Sequence, residues 1–176
     1  MPPCLDATST ACLPAGFLPP LSRTHALVVN GYYVANNSTG LTGVPSLRRK
    51  RLVAGTAPAI ADVQDEEIIP GVEDLQVQFG ADSAAPFDGN VDAYFAAGAV
   101  PTTAVVVSAT VWLRVRSAEP DYSYTDGETY QYAGAAEFDP KDAANAVSGV
   151  TCPGGGSSCF RRFVVSKTIQ LRDLRT

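Results

Sequence analysis

The closest approach to a metal-ligand pattern in this chain is Asp82 followed by Asp88, Asn90 and Asp92. Asp88-x-Asn90-x-Asp92 matches the opening of a calcium-binding loop, where alternating oxygen ligands surround a hard cation. The full pattern fails. Ala93 stands where a glycine is expected after the third ligand, and Ala99 where the loop should end on a bidentate glutamate. The expected reading is a polar turn, with a secreted calcium- or ligand-binding β domain as the competing one; no other cofactor is implied. His25 is the one histidine and lies at the start of an apolar stretch. A serine triad would have to use it, yet no G-x-S-x-G elbow occurs. No H-E-x-x-H, P-loop or dinucleotide fingerprint is present. Glu66/Glu67 and Glu73/Asp74 are sequence neighbours. On a strand, neighbours point to opposite faces, so these pairs are not expected to share a substrate. The catalytic inventory therefore favours a non-enzyme.

Redox chemistry is the other option. The four cysteines fall into two local pairs, Cys4/Cys12 and Cys152/Cys159, each enclosing a short loop of turn formers. An even count in local pairs suits two small disulfide staples in an oxidising compartment. Three pairings are formally available, and the local one closes the shortest loops. A four-cysteine zinc site competes, but neither pair has the C-x2-C spacing such sites favour. Two pairs of buried free thiols in a cytosolic protein are the third reading. Asn36-Asn37-Ser38-Thr39 contains overlapping glycosylation sequons, which more simply mark a turn.

These residues need elements to hold them, and the chain reads as strands. At 176 residues it has material for one domain with a real core. Its net charge of −5 gives no nucleic-acid footprint. Basic residues cluster at Arg48-Arg49-Lys50-Arg51 and Arg161-Arg162, and both clusters fit a solvated strand face or an acidic partner. No apolar run is long enough to cross a bilayer. Met1-Pro2-Pro3 reads as a trimmed start, so any export signal is expected outside this stretch.

Residues 1–24 carry Pro14, Pro19 and Pro20 and read as an irregular lead-in. Residues 26–35 and 45–54 read as a hairpin with a long tip, and 55–67 as a connector. In 68–82, Leu75, Val77 and Phe79 alternate with Asp74, Gln76 and Gln78, the period of a strand with one buried face. Asn90 and Gly98 bracket a short helix over 91–97. Residues 102–117 make the strongest strand, with Val105, Val107, Ala109, Val111, Leu113 and Val115 on one face. Asp126-Gly127, between Tyr122/Tyr124 and Tyr130/Tyr132, predicts a hairpin. Asp139-Pro140 predicts a helix to about 147. Residues 160–171 close the chain as a strand whose apolar register is interrupted by Lys167.

Several blocks, in order, resemble the PilW-type minor pilins of type IV pili. Tyr32-Tyr33-Val34 with Pro45-Ser46-Leu47-Arg48-Arg49 resembles their "YYV … P-x-L-x-R" hairpin. The stretch GVEDLQVQFGAD at 71–82 resembles "G-V-E-x-L-x-V-x-Y-G-x-D", and Val91-Asp92-Ala93-Tyr94 the "V-D-x-Y" after it. Residues 105–117 are similar to a long strand ending "W-L-x-V-R-S". Phe160-Arg161-Arg162-Phe163 and Thr168-x-x-Leu171-Arg172-Asp173 resemble the terminal "R-R-x-F … T-x-x-L-R-N".

The resemblance implies an α+β, mainly β fold: a pilin-like globular head of antiparallel sheets with one or two short helices, over residues 25–176. It also implies a non-catalytic minor pilin. Such a protein primes pilus assembly and sits in the tip complex with other minor pilins, the major pilin and an adhesin. It would face the periplasm at the inner membrane first and lie outside the cell at the pilus tip later. Membrane contact would come only through an N-terminal helix that the sequence in hand does not contain. A J-type minor pseudopilin of type II secretion is the alternative within the same machinery. Partner contacts are expected at Trp112, Tyr122, Tyr124, Tyr130 and Tyr132, with core packing as the competing role for Trp112.

Overall fold

The computed structural model describes residues 28–54 and 61–171. Its strands are β1 (Asn30–Ala35), β2 (Ser46–Ala54), β3 (Ala61–Pro70), β4 (Val72–Asp82), β5 (Ala93–Ala96), β6 (Val105–Arg116) and β7 (Arg162–Gln170). They form two antiparallel sheets, one in the order β1-β2-β3 and one in the order β5-β4-β6-β7. The fold is mainly β, as expected. Lead-in residues 1–24, Cys4, Cys12 and His25 lie outside the described residues.

Among the described residues the chain divides into two compact units, 28–33 with 48–54 and 61–68, and 34–47 with 69–171. In the first unit, β3 occupies much of what reads in sequence as a connector. Its Asp65, Glu66 and Glu67 have no alternating apolar face to announce a strand. Their partners are basic residues of β2. Arg48 Nε lies 3.1 Å from Asp65, an Arg48 amino group 3.6 Å from Glu67, and Arg49 2.6 Å from Glu66. Arg48, Arg49 and Arg51 are thus paired within their own sheet rather than left for an acidic partner, and Lys50 lies over the Tyr33 ring. The Tyr33 hydroxyl also donates to Asp65, at 2.6 Å.

In the second unit, β4 and β6 pair along nearly their whole lengths, from Val72↔Val115 to Asp82↔Val105. β7 adds to the far side of β6, from Ser108↔Gln170 to Arg116↔Arg162. The helix expected at 91–97 is instead β5, a short edge strand on β4 with Tyr94 opposite Gly80 and Phe95 opposite Phe79. Aromatic residues suit a pleated surface better than a short helix. Residues 117–161 are largely irregular and cover one face of this sheet. Asp126-Gly127 is not a hairpin tip: the nearby Tyr130↔Phe138 bridge lies wholly on its C-terminal side, and Asp126 is fully buried. The helix expected from Asp139 is reduced to a 3-10 turn, Ala143–Asn145, capped by Asp142. The Asp139 and Asp142 carbonyls accept from the N–H groups three residues on, at 3.1 and 2.9 Å, the tighter pattern of a 3-10 turn, while the Pro140 carbonyl accepts from the Ser157 N–H at 2.7 Å.

A small apolar core lies in this irregular layer, where the Cys152–Cys159 disulfide packs with Phe160, Val147 and Val150. The β3–β4 corner is fixed by Gly71, with φ +84°. Its N–H donates to the Pro45 carbonyl at 2.7 Å and its own carbonyl accepts from the Arg116 N–H at 2.8 Å. A Cβ there would sit 2.6 Å from the Arg116 carbonyl oxygen, on backbone that cannot step aside. Gly71→Ala should lower the unfolding free energy by about 2–4 kcal/mol, combining left-handed strain with the clash. Urea unfolding with an unchanged midpoint would show that the corner is not fixed in this way.

Candidate functional site

The dominant chemical feature of the second unit is a buried cluster of charge. The β4–β6 register shifts between Val72 and Asp74, leaving Glu73 as the extra residue of a bulge. A bulge re-aims its side chain. Glu73 therefore reaches the same side as Asp74, against the strict alternation expected for neighbours on a strand. There it meets three guanidinium groups. Arg114 Nε lies 3.2 Å away, Arg116 Nε 3.1 Å and Arg162 Nε 2.8 Å. The Arg162 side chain is fully buried. It also contacts Asp126 at 3.4 Å, the Ser157 carbonyl at 2.9 Å and the Ser157 hydroxyl at 2.8 Å. Arg162 is thus a core residue, not part of a solvated basic face.

The irregular layer supplies the rest of the cluster's surroundings. Arg114 stacks on Phe138 at 3.6 Å and Arg116 on Phe160 at 4.1 Å. Such contacts place delocalised cations where an ammonium would be poorly solvated. The Tyr132 hydroxyl donates to Asp74 at 2.7 Å, and the Tyr130 hydroxyl to Asp126 at 3.1 Å. Burial, then these carboxylates, pushes both phenols well above their ordinary range. Burial also pulls the Arg116 guanidinium down; Glu73 opposes this and Arg162 adds to it.

This arrangement changes which sheet face is covered. The face bearing Thr110, Arg114, Arg116 and Arg162 lies under the irregular layer, and all four are buried. The apolar register is half-covered on β4 and β6 and exposed on β7. Leu75, Val77, Phe79, Val111 and Leu113 are half-buried. On edge strand β7, Phe163, Val165 and Ile169 are exposed, at 56%, 45% and 50%. The register places Val165 opposite Leu113 and Phe163 opposite Val115, so the patch is continuous across strands. Lys167, opposite Val111, is the charge within it.

The acidic residues singled out in the sequence converge on one loop. Asp82 is buried and accepts from the Gly89 N–H at 2.6 Å. Asp92 accepts from the N–H groups of Ser83 and Ala84, at 2.8 and 2.9 Å. Asp88 accepts from Asn90 through its N–H and its side-chain amide, both at 2.9 Å. These are the bonds of a polar turn, and no group of metal-ligating residues occurs among the described residues. The aromatic candidates separate. Tyr122 is exposed, Tyr124 lies under the Arg161 guanidinium at 4.4 Å, and Tyr130 and Tyr132 serve the charge cluster. Trp112 is half-buried on β6, opposite Gln76 and Ser166. Cys152 and Cys159 form the expected staple. Sequence reasoning missed Glu73, Asp126, Arg114, Arg116 and Arg162 as one group. The Arg-x-Arg alternation at 114 and 116 was its only local trace.

The class so defined is a mainly β domain that uses its charged residues to seal one sheet face and leaves the apolar residues of its edge strand exposed. Its family follows from sequence comparison: residues 31–173 match the family described as Type IV Pilus-assembly protein W, and the chain belongs to it. No curated protein and no solved structure gives a match. Membership ties the chain to type IV pilus assembly. Among the described residues no helix is long and apolar enough to cross a membrane.

Removing Glu73 leaves three guanidiniums without their shared anion. Glu73→Gln should cost about 3–5 kcal/mol, as for breaking a buried ion pair. A chemical denaturation curve superimposable on the parent would refute that weight. A second outcome concerns Asp121, held at about 2 by the Ser123 hydroxyl first and then by Arg161. The folded value lies below the unfolded one. Its contribution to stability is therefore present above pH 3.8 and fades as pH falls toward about 2. In Ser123→Ala the NMR titration midpoint of Asp121 should move up toward 3.8; an unmoved midpoint would assign the effect elsewhere.

Proposed function

We propose that this protein is a non-catalytic minor pilin whose head is gripped by sister subunits during priming of type IV pilus assembly. Family membership supports the setting. The observation that carries the reading is the exposed apolar row of edge strand β7, Phe163, Val165 and Ile169, continuous with half-buried residues of β6 and β4. Exposed patches of this kind mark surfaces that another chain covers. The outer edge of β7 also presents backbone groups suited to strand addition. In this reading the charge cluster holds the head rigid and carries out no reaction. The Asp82–Asp92 loop is a structural turn that needs no calcium.

The partners in this reading are other minor pilins, the major pilin and a tip adhesin. The full-length protein sits in the inner membrane through an N-terminal helix, faces the periplasm, and moves to the pilus tip on assembly. Co-expression with candidate minor pilin domains should yield a complex on size exclusion. Val165→Asp with Ile169→Asp should weaken capture by about tenfold or more while circular dichroism stays unchanged. Failure of every minor pilin domain to co-purify would remove the proposal, and undiminished capture by the double variant would remove β7 from the interface.

A further inference from the structure

A second feature of the same unit is independent of the apolar face. An open cleft of about 540 Å³ is bounded by exposed Asn36, Ala146 and Ser148, with Glu73, Arg114 and Phe138 among its deeper walls. The charge in its wall is not balanced by ion pairs. Arg114, Arg116 and Arg162 share two carboxylates, Glu73 and Asp126. Asp74, the remaining acid nearby, is turned to the Tyr132 hydroxyl and the Gln76 amide and forms no ion pair with them.

The three guanidiniums also differ in how fully they are used. Arg116 places Nε on Glu73 and its amino groups on the Ser117 and Gly43 carbonyls, at 3.2 and 2.5 Å. Arg162 is satisfied by Glu73, Asp126 and Ser157. Arg114 gives Nε to Glu73 and one amino group to Tyr132 at a long 3.4 Å. Its other amino group has no hydrogen-bond partner among the described residues, and Arg114 lines the cleft. A planar donor held by Glu73 and by stacking on Phe138 loses little freedom when it binds an anion.

We propose that this cleft is a carboxylate-binding site that takes an acidic side chain of a neighbouring subunit. Arg114 anchors the carboxylate, and Phe138 and Val147 flank the methylene stem. The charge-assisted bond completes the set of donors on Arg114. Assigning the acid to a subunit rests on the minor-pilin reading; the cleft's preference for a carboxylate does not.

The test is an NMR titration of the isotope-labelled protein with three small probes. N-acetylglutamate α-amide carries only a side-chain carboxylate, N-acetylglycine only a terminal one, and N-acetylglutamine amide neither. The first probe should give saturable shifts at Gly43 and residues 145–148. Ala146→Trp fills the mouth from an exposed position and should weaken binding by about tenfold with the fold intact, and Arg114→Gln should do likewise. Shifts of equal size from the glutamine probe, or undiminished binding to Ala146→Trp, would overturn the site. Preference for N-acetylglycine would assign the cleft to a chain terminus and overturn the side-chain claim. Because no subunit is used, a negative titration removes the cleft alone, whereas a failed co-purification removes the assembly reading and the subunit as donor but leaves the carboxylate preference standing.

Discussion

One carboxylate serving three guanidiniums is the constraint on which the second unit depends. Glu73 can do this only because the β4 bulge turns it toward Arg114, Arg116 and Arg162. These cations arrive from two other strands, so the ion pairs tie β4, β6 and β7 together beyond their backbone ladders. Buried charge is costly unless every member is paired and hydrogen-bonded. The irregular layer supplies much of that pairing through Asp126, Ser157 and the two aromatic rings.

The same constraint explains why a long segment without regular structure can be ordered. Residues 117–161 contribute few ladder bonds, and their apolar core is small. They are held instead by side chains that the sheet needs. Tyr132 closes on Asp74, Tyr130 on Asp126, and the Cys152–Cys159 staple sets the turn before Phe160. Sheet and layer complete each other, and disturbing either exposes charge.

The long strands were legible because their period of two is unmistakable: β4, β6 and β7 lie close to where the pattern places them. The family was legible from ordered blocks rather than from any single motif. What the pattern could not give was which face is covered. Valines facing arginines across a strand predict the valine side inward, and that holds when the covering layer is apolar. Here the layer is aromatic and acidic, so the arginine side is sealed. β3 was missed because ion pairs, not an apolar stripe, hold it to β2. The 91–97 helix and the Asp126 hairpin were misread because their local signals are short. Tertiary contacts decided both: Gly80 and Phe79 for β5, and Arg162 for Asp126.

Lys167 gives the open face a bias in choosing company. An antiparallel pairing of β7 with another β7 centred at that position would set two ammonium groups side by side, a like-charge contact that opposes it. A neighbour offering a negative group at the same point would meet attraction instead. A single cation set among valine and isoleucine thus discourages the head from adhering to its own kind and favours mixed over uniform association.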